Sequence, residues 1–529
     1  MKQISLKAVS SLMPAIAAGF ITLSLQALAE SNNWRQLIDA GEQAYKKGDF
    51  ADAQAQFSAA LAKCDTSATS CDPHLGFTLN DLALALDSQG KIAEAEENFK
   101  HALTVKEHAD GPNNLSLIST LNNLALLYRQ TGRTSDAEAI YRRALEITTK
   151  NKGEEDPALS VCLNNLALVL EQENKNEEAE SFTRHTLAIT EKTYGKDNPA
   201  VAVILNNLAL LLKKQGKDSE AISSYQRALA IRKNAFGQNS LETAASLTNL
   251  AKVYRADGQF AEAEPLLIQA LGILEKVNGS DSEKLIVALN NLGFVLREEG
   301  KFEEARKQYQ RALDIARNHF GPESEETADA LENLADVYME EHNLTAAQPL
   351  YEQVLSNLEH KFGQDSPELI SILHKLTEVY REQGNYDQAE VQQKRAISIS
   401  EAKLPANDPR LAVCLNDLAL LYREHGKKDD VEAILKRVVT IKESAGNDDQ
   451  GLANSLNNLA HFYREQGNYA QSEEFYKQSL ALREKIFGHD HPSVAASLRN
   501  YADLLRKMNR NQEAVALDAQ AATIEAKFE

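Results

Sequence analysis

Several motifs and residue types are missing or scarce in this chain of 529 residues. Its 24 glycines and 12 prolines are too few for a low-complexity protein. Its four cysteines do not have the spacing of zinc ligands, so we expect no metal site. The sequence also lacks a glycine-rich phosphate loop and the H-E-x-x-H and G-x-S-x-G motifs. We therefore expect no enzyme and no cofactor.

Positive charge is scarce as well. The chain has 57 lysines and arginines against 77 acidic residues, which gives a formal net charge of −20. A field of this sign repels phosphate backbones and anionic lipid surfaces, so nucleic-acid binding is not expected. Beyond residue 29, no stretch is long and apolar enough to cross a membrane, and we expect no membrane insertion of that part.

The first thirty residues differ from the rest of the chain. Two lysines precede a mostly apolar run of 21 residues, Val9 to Ala29, which ends in the sequence A-L-A. A basic start, an apolar middle and an A-x-A end are typical of a secretory signal peptide. We therefore predict that residues 1–29 are a signal peptide and that the protein is exported, periplasmic or secreted. The alternative is an uncleaved anchor, because the run could span a bilayer.

From residue 30 onward the chain repeats with a period of about 42 residues. Positions within a repeat are counted from one marker residue, which is leucine in all repeats but the first and the last. The residue before the marker is position −1 and the residue after it is position +1. The markers are Leu82, Leu124, Leu166, Leu208, Leu250, Leu292, Leu334, Leu376, Leu418 and Leu459, with Ala40 and Tyr501 in the first and last repeats. This predicts a single domain, residues 30–529, of about twelve repeats.

Each repeat is predicted to form two helices. From Leu121 to Ala144, apolar residues recur three and four apart, as on one face of a helix. At position +8, glycine or asparagine closes the first helix in every repeat but one, where His342 stands. A small residue usually follows at +13, and an aromatic residue often follows at +17. A small residue lets the two helices approach closely, and the aromatic ring fills the gap one turn away.

From Leu121 to Tyr141 the chain follows L-x2-L-A-x2-Y…A-x3-Y, which resembles the tetratricopeptide pattern W-x2-L-G-x2-Y…A-x3-F. The 42-residue period and the stretch from Leu482 to Leu505 resemble the kinesin light chain subtype, in a bacterial exported form. The resemblance implies an all-α, right-handed superhelical solenoid whose first helices line a concave, ligand-binding face. A motor-adaptor role is not implied, because a signal peptide stands where that family carries its coiled coil.

Asparagine recurs at two neighbouring positions of the first helix. Because asparagine is a poor helix former, its repetition in mid-helix requires an explanation. The first ladder, at position −1, consists of Asn123, Asn165, Asn207, Asn249, Asn291, Asn333, Asn458 and Asn500. The second ladder, at position −2, consists of Asn80, Asn122, Asn164, Asn206, Asn290, Asn416 and Asn457.

Two interpretations of the ladders are open. An amide side chain can donate to and accept from one peptide group of an extended ligand, and the family resemblance implies this role. The alternative is that the asparagines cap or bridge neighbouring helices within the solenoid.

A basic side chain stands at position +5 in eight repeats. The basic stripe consists of Arg129, Lys213, Arg255, Arg297, Arg381, Arg423, Arg464 and Arg506. Position +5 lies seven residues after the second ladder, and therefore on the same helical face. We expect the stripe to attract the carboxylates of a peptide partner. The alternative is pairing with acidic neighbours such as Glu382, Glu424 and Glu465, which directly follow stripe residues in the sequence and would then face the adjacent repeat.

These patterns predict a non-enzymatic scaffold that binds an extended, acidic peptide segment of a protein partner in its concave groove. The alternatives are a structural envelope protein that assembles with copies of itself, and a regulatory partner of an enzyme encoded elsewhere. Cys64 and Cys71 are predicted to form a disulfide in an oxidising compartment, the alternative being two free thiols. Cys162 and Cys414 are predicted to be small buried core residues.

Overall fold

The computed structural model of the chain describes residues 32–64, 73–446 and 449–527. Over these residues every regular element is helical, with 24 α-helices and four short 3-10 turns. None of the described helices has the length and apolar character needed to span a bilayer. The predicted signal peptide, residues 1–29, lies outside the described residues and stays a prediction. The chain divides into two compact units, Met1–Asp257 and Gly258–Glu529.

The first unit contains five helix pairs and the first helix of repeat 6. Its helices are α1 (Asn32–Lys47), α2 (Phe50–Leu61), α3 (Pro73–Ser88), α4 (Ile92–Asp110), α5 (Ile118–Gln130), α6 (Thr134–Lys152), α7 (Leu159–Gln172), α8 (Asn176–Tyr194), α9 (Pro199–Lys214), α10 (Asp218–Phe236) and α11 (Leu241–Ala256). A 3-10 turn, Leu115–Leu117, precedes α5. Odd-numbered helices are the first helices of their repeats, here and in the second unit.

The second unit contains the second helix of repeat 6 and six further pairs. Its helices are α12 (Phe260–Asn278), α13 (Ile286–Glu298), α14 (Phe302–Phe320), α15 (Glu325–Glu340), α16 (Leu344–Phe362), α17 (Ile370–Glu382), α18 (Tyr386–Lys403), α19 (Pro409–Glu424), α20 (Val431–Ala445), α21 (Asp449–Glu465), α22 (Tyr469–Phe487), α23 (Pro492–Lys507) and α24 (Asn511–Glu525). Its 3-10 turns are Glu283–Leu285, Pro367–Leu369 and Lys428–Asp430.

Within each unit, helices that follow one another in the chain pack together. The small residue at +13 and the aromatic residue at +17 are buried as predicted, for example Ala137 and Tyr141, which are both fully buried. In repeat 7 the aromatic ring lies so close to the first helix that a Cβ at Gly293 would be 2.8 Å from Tyr309. The predicted fold class, an all-α solenoid of helix–turn–helix repeats, is therefore confirmed within each unit.

His342, which stands at position +8 where other repeats have glycine or asparagine, adopts the same backbone conformation as they do. His342 has φ 54°, in the left-handed region that Gly132 occupies with φ 78° in repeat 3. A side chain in this region carries a steric cost that glycine does not. The 3.5 Å contact between His342 Nδ1 and Glu382 is exposed, so it stabilises the fold little.

We therefore expect His342→Gly to raise the free energy of unfolding by about 0.5–1 kcal/mol, as the relief of strain exceeds the added entropy of the unfolded chain. Urea denaturation of the full chain measures this change. Asn174→Gly is the matched control and should have a smaller effect, because asparagine tolerates φ 60° at the same position. A lower free energy of unfolding in His342→Gly would show that the contacts of the histidine side chain stabilise the fold by more than its backbone strain destabilises it.

Candidate functional site

The two asparagine ladders bond to each other between repeats. In each observed bridge, the amide Nδ2 of a first-ladder asparagine donates to the Oδ1 of a second-ladder asparagine in the preceding repeat. The bridges are Asn123–Asn80 (3.1 Å), Asn207–Asn164 (3.1 Å), Asn458–Asn416 (2.9 Å) and Asn500–Asn457 (3.1 Å). Bridging, the alternative that the sequence left open, is therefore a real function of the ladders.

The ladders break where charged residues replace asparagine, and there the replacements match. Glu332 at position −2 lies 2.8 Å from Lys375 at position −1 of the next repeat. One repeat further on, His374 Nδ1 lies 3.0 Å from Asp417. The hydrogen bond with Asp417 raises the pKa of His374, so this pair stabilises the fold at acidic pH and weakens as pH rises through that pKa. In these two places the charged pairs therefore take over the inter-repeat contact that the asparagine bridges make elsewhere.

The bridges leave part of each amide unused, because a carboxamide has two donors and two acceptor lone pairs. In the described part of the chain, three buried second-ladder oxygens have no hydrogen-bond partner, those of Asn122, Asn206 and Asn290. The remaining first-ladder members, Asn165, Asn249, Asn291 and Asn333, are half-buried on their first helices. Contact between the ladders and a ligand stays a prediction, beside the bridges.

The basic stripe forms a second inter-repeat contact. Position +5 of one repeat meets position +6 of the next, and the pairs are Arg297–Glu340 (3.3 Å), Arg381–Glu424 (3.2 Å) and Arg423–Glu465 (3.0 Å). In repeat 4 the charges are reversed, with Glu171 at +5 and Lys214 at +6 of repeat 5, 2.7 Å apart. Pairing within the protein therefore engages the stripe in repeats 7, 9 and 10.

The other stripe residues differ in their partners. Lys213 pairs with Asp218 of its own repeat (2.8 Å), and Arg506 pairs with Asp503 (2.7 Å). Arg255 is half-buried in α11. Over residues 32–64, 73–446 and 449–527, Arg129 and Arg464 form no ion pair.

The sequence of the next repeat explains why Arg129 and Arg464 form no ion pair among the described residues. Position +6 is Gln172 after Arg129 and Lys507 after Arg464, so neither arginine meets a carboxylate there.

The tip of the aromatic side chain at +17 reaches the same first-helix face. In repeat 8 the Tyr351 hydroxyl donates to Asp336 at position +2, with an O–O distance of 2.6 Å. The hydroxyls of Tyr141 and Tyr476 are buried and have no hydrogen-bond partner among the described residues. Burial raises the pKa of Tyr141 to about 12, while the charge of Arg129 acts in the opposite direction. Repeats 3 and 11 thus each combine an unpaired arginine with an unpaired tyrosine hydroxyl.

The same face also carries an apolar stripe, which was not among the predicted site residues. Position +2 lies between the ladders and the basic stripe on one face of the helix. In repeats 2 to 5 the leucine stripe occupies it: Leu84, Leu126, Leu168 and Leu210. The first three are half-buried, and Leu210 is 43% exposed. The sequence signal is the recurrence of leucine at this position in four successive repeats.

A small cavity lies beside this stripe between repeats 4 and 5. Its lining includes Asn164, Leu168, Thr183 and Asn207. The cavity exists because position +17 is Thr183 in repeat 4, where most repeats carry an aromatic ring. It has a volume of about 10 Å³, enough for one water molecule, and lies next to the bridge between Asn207 and Asn164.

The cysteines are distributed partly as predicted. Cys162 and Cys414 are buried, which confirms their core role. Cys64 is half-buried, with its Sγ 3.8 Å from Thr78 Oγ1. Cys71 lies outside the described residues, so the disulfide stays a prediction. Among described residues, no group of three His, Cys, Asp or Glu side chains is placed to hold a metal ion.

Family models described as tetratricopeptide repeat match much of the chain. One matches residues 77–150, 116–192, 160–234, 242–318, 326–402 and 451–524. A second matches residues 290–360, and a third matches residues 411–449. A comparison with curated proteins gives no match.

The chain is also similar to solved structures. It is 26% identical to BtubC (BKLC) from P. vanneervenii, over 47% of this chain and 94% of that chain, with a TM-score of 0.37. It is 24% identical to a putative kinesin light chain with nearly identical TPR-like repeats from Podosopora anserina, over 39% and 99% of the two chains (TM-score 0.37). It is 20% identical to a tetratricopeptide repeat protein from Parabacteroides merdae ATCC 43184, over 58% and 98% (TM-score 0.39).

The repeat models match more than half of the residues, in both units, and their helix pairs are the ones that the structure contains. The chain therefore belongs to the tetratricopeptide repeat family.

Proposed function

We propose that the chain is a scaffold that binds an extended segment of a partner protein on the first-helix face of repeats 2 to 5. Tetratricopeptide repeats are in general scaffolds for protein–protein interaction, because stacked repeats present a long continuous surface. The observation that carries the proposal is the leucine stripe, half-exposed beside the asparagine ladders in four successive repeats.

A continuous row of partly exposed leucines is a mark of an interaction site, since soluble proteins rarely expose contiguous apolar patches without a use for them. The asparagine bridges support this role, because they orient the amides that flank the stripe. An extended segment would place apolar side chains on the leucines and its peptide groups against the unused amide donors and acceptors.

The ion pairs within the protein limit how many acidic residues of a partner the basic stripe can bind. Arg297, Arg381 and Arg423 are paired with carboxylates of the protein, so an acidic partner would have to displace them. In the first unit Lys213 is paired with Asp218, whereas Arg129 has no ion pair among the described residues. We therefore propose a mainly apolar segment that carries an acidic residue near repeat 3.

The N-terminal sequence pattern supports an exported protein, which would meet this partner outside the cytoplasm. The intact mass of the exported chain tests this point, and it should correspond to a chain that starts at Glu30. A soluble product that retains Met1 would contradict export by cleavage.

The proposed face can be tested with peptides selected from a random displayed library on the full chain. In the triple variant Leu126→Ser, Leu168→Ser and Leu210→Ser, we expect the affinity of the selected peptides to fall at least tenfold. Three partly buried leucine contacts contribute about 2 kcal/mol together, which corresponds to about thirtyfold in affinity. Isothermal titration calorimetry measures the change.

The matched control replaces three exposed apolar residues of the second unit that do not lie at position +2, in Val391→Ser, Val413→Ser and Val515→Ser. This control should bind the selected peptides as the wild type does. Equal affinity of both triple variants would place the binding surface elsewhere.

A further inference from the structure

We propose that His461 makes the contact between repeats 10 and 11 sensitive to acid. The neutral imidazole accepts a hydrogen bond from Arg423, whereas the protonated ring repels that arginine and loosens repeats 11 and 12 from repeat 10. These repeats all belong to the second unit, so the contact lies outside the proposed binding face of repeats 2 to 5.

Arg423, at position +5 of repeat 10, connects the first helices of the two repeats. Its Nε lies 3.2 Å from one carboxylate oxygen of Glu465, and its Nη2 lies 3.0 Å from the other. The same Nη2 lies 3.0 Å from Nδ1 of His461, at position +2 of repeat 11. Two side chains of α21 therefore hold one guanidinium of α19.

The contact with Arg423 requires one protonation state of the His461 ring. A guanidinium has only hydrogen-bond donors and stays charged at physiological pH. Nδ1 therefore accepts from Arg423 only when it bears no proton of its own. Protonation would place a second positive charge 3.0 Å from the guanidinium nitrogen, in a position where the two repel.

The surroundings of His461 favour the neutral ring. The charged and titratable groups around it are Arg423 of α19, Arg464 and Glu465 of α21, Tyr476 of α22 and Asp503 of α23. Burial lowers the pKa of His461, and the charges of Arg464 and Arg423 act in the same direction, against Glu465 at 3.6 Å. Tyr476 stays neutral because burial raises its pKa, and Asp503 is paired with Arg506. The His461 side chain is 32% exposed, so protons from the solvent can reach it.

A lowered pKa of His461 in the folded protein makes the contact weaker in acid. Above the pKa of an unfolded histidine, the ring is neutral in both the closed and the opened state, and the contact is complete. As the pH falls toward the pKa of the closed state, the opened state binds the proton more readily and is favoured. The opening constant rises at most by the ratio of the two acid dissociation constants.

NMR titration of the full chain, labelled at histidine Cε1, measures the pKa of His461, whose signal is assigned by its loss in His461→Gln. We expect a pKa below that of histidine in an end-blocked peptide. In Arg423→Gln the pKa of His461 should rise, because a nearby positive charge is removed. The matched control Arg381→Gln breaks the equivalent pair with Glu424 one repeat earlier and should leave the pKa of His461 unchanged.

Hydrogen exchange followed by mass spectrometry measures the opening itself. From neutral pH to about pH 5, protection of the amides in α21 to α24, corrected for intrinsic exchange, should fall at least about threefold. In His461→Gln this loss should disappear, because the glutamine oxygen can accept from Arg423 at any pH. His461→Lys carries a permanent cation and should show the weaker protection already at neutral pH.

A pKa of His461 equal to or above that of the peptide would overturn the proposal. A loss of protection in acid that is the same in His461→Gln and in the wild type would overturn it as well. Peptide affinity and the leucine variants test the proposed function separately, so neither result bears on the binding face.

Discussion

Replacement of Lys375 by glutamate should lower the free energy of unfolding by about 2–4 kcal/mol. Lys375 Nζ lies 2.8 Å from Glu332 and 2.5 Å from Asp336, and its side chain is only 25% exposed. The variant would remove the cation and place three carboxylates together in a half-buried position, where like charges repel strongly. Urea denaturation of the full chain at neutral pH, followed by circular dichroism, measures the loss.

The double variant Glu332→Asn and Lys375→Asn is the informative control. It replaces the ion pair by the asparagine bridge of other repeats, and Asp336 keeps the bond from the Tyr351 hydroxyl. We expect it to recover most of the stability that Lys375→Glu loses. If Lys375→Glu unfolds at the same urea concentration as the wild type, the inter-repeat contacts at these positions do not hold neighbouring repeats together.

Deletion of one whole repeat, Leu208–Asn249, should leave a shorter protein that is still folded. The deletion joins Asn207 to Leu250, so an asparagine again precedes a marker leucine and remains in place to bridge to Asn164. Helices within each unit pack on their neighbours in the chain, so no distant contact is removed. Far-ultraviolet circular dichroism should show an unchanged mean residue ellipticity and a cooperative thermal transition.

A deletion of half a repeat, Leu208–Ala228, is the matched control. It joins a first helix to the end of a second helix and brings unlike faces together. We expect this variant to lose helicity or to aggregate. Global loss of helicity in the whole-repeat deletion would instead show that stability depends on contacts beyond neighbouring repeats.

The fold could be predicted because its signals are local and repeated. The marker leucine, the helix-closing residue at +8 and the small residue at +13 act within one repeat, and each occurs many times. Position +8 has a positive φ in the eleven other repeats, and these predict the same backbone conformation for His342, which it adopts.

The contacts within the candidate site could not be predicted as readily, because they join different repeats. The hydrogen bond from Asn123 to Asn80 joins residues that are 43 positions apart in the chain. The sequence of one repeat does not show that its position −1 faces position −2 of the preceding repeat. A signal was nevertheless present. Glu332 with Lys375, and His374 with Asp417, are complementary pairs at the same spacing. Their charges match only if the two positions touch.

The basic stripe shows why chemical type alone misleads. Eight basic residues on one face indicate an acidic partner, but several of them are paired with glutamates of the next repeat. Whether a stripe residue can pair with a ligand depends on the residue at position +6 of the next repeat. The two positions therefore have to be compared together. Arg129 and Arg464 are distinguished only by that comparison.

The central claim, that a partner segment lies on the leucine stripe of repeats 2 to 5, is tested most directly by photo-crosslinking. A diazirine analogue of leucine at position 168 reports contact on the first-helix face, and the same residue at Ser223, exposed on α10, reports contact elsewhere. With a library-selected peptide, the account predicts a crosslink from position 168 and none from position 223. A crosslink from position 223 without one from position 168 would contradict it.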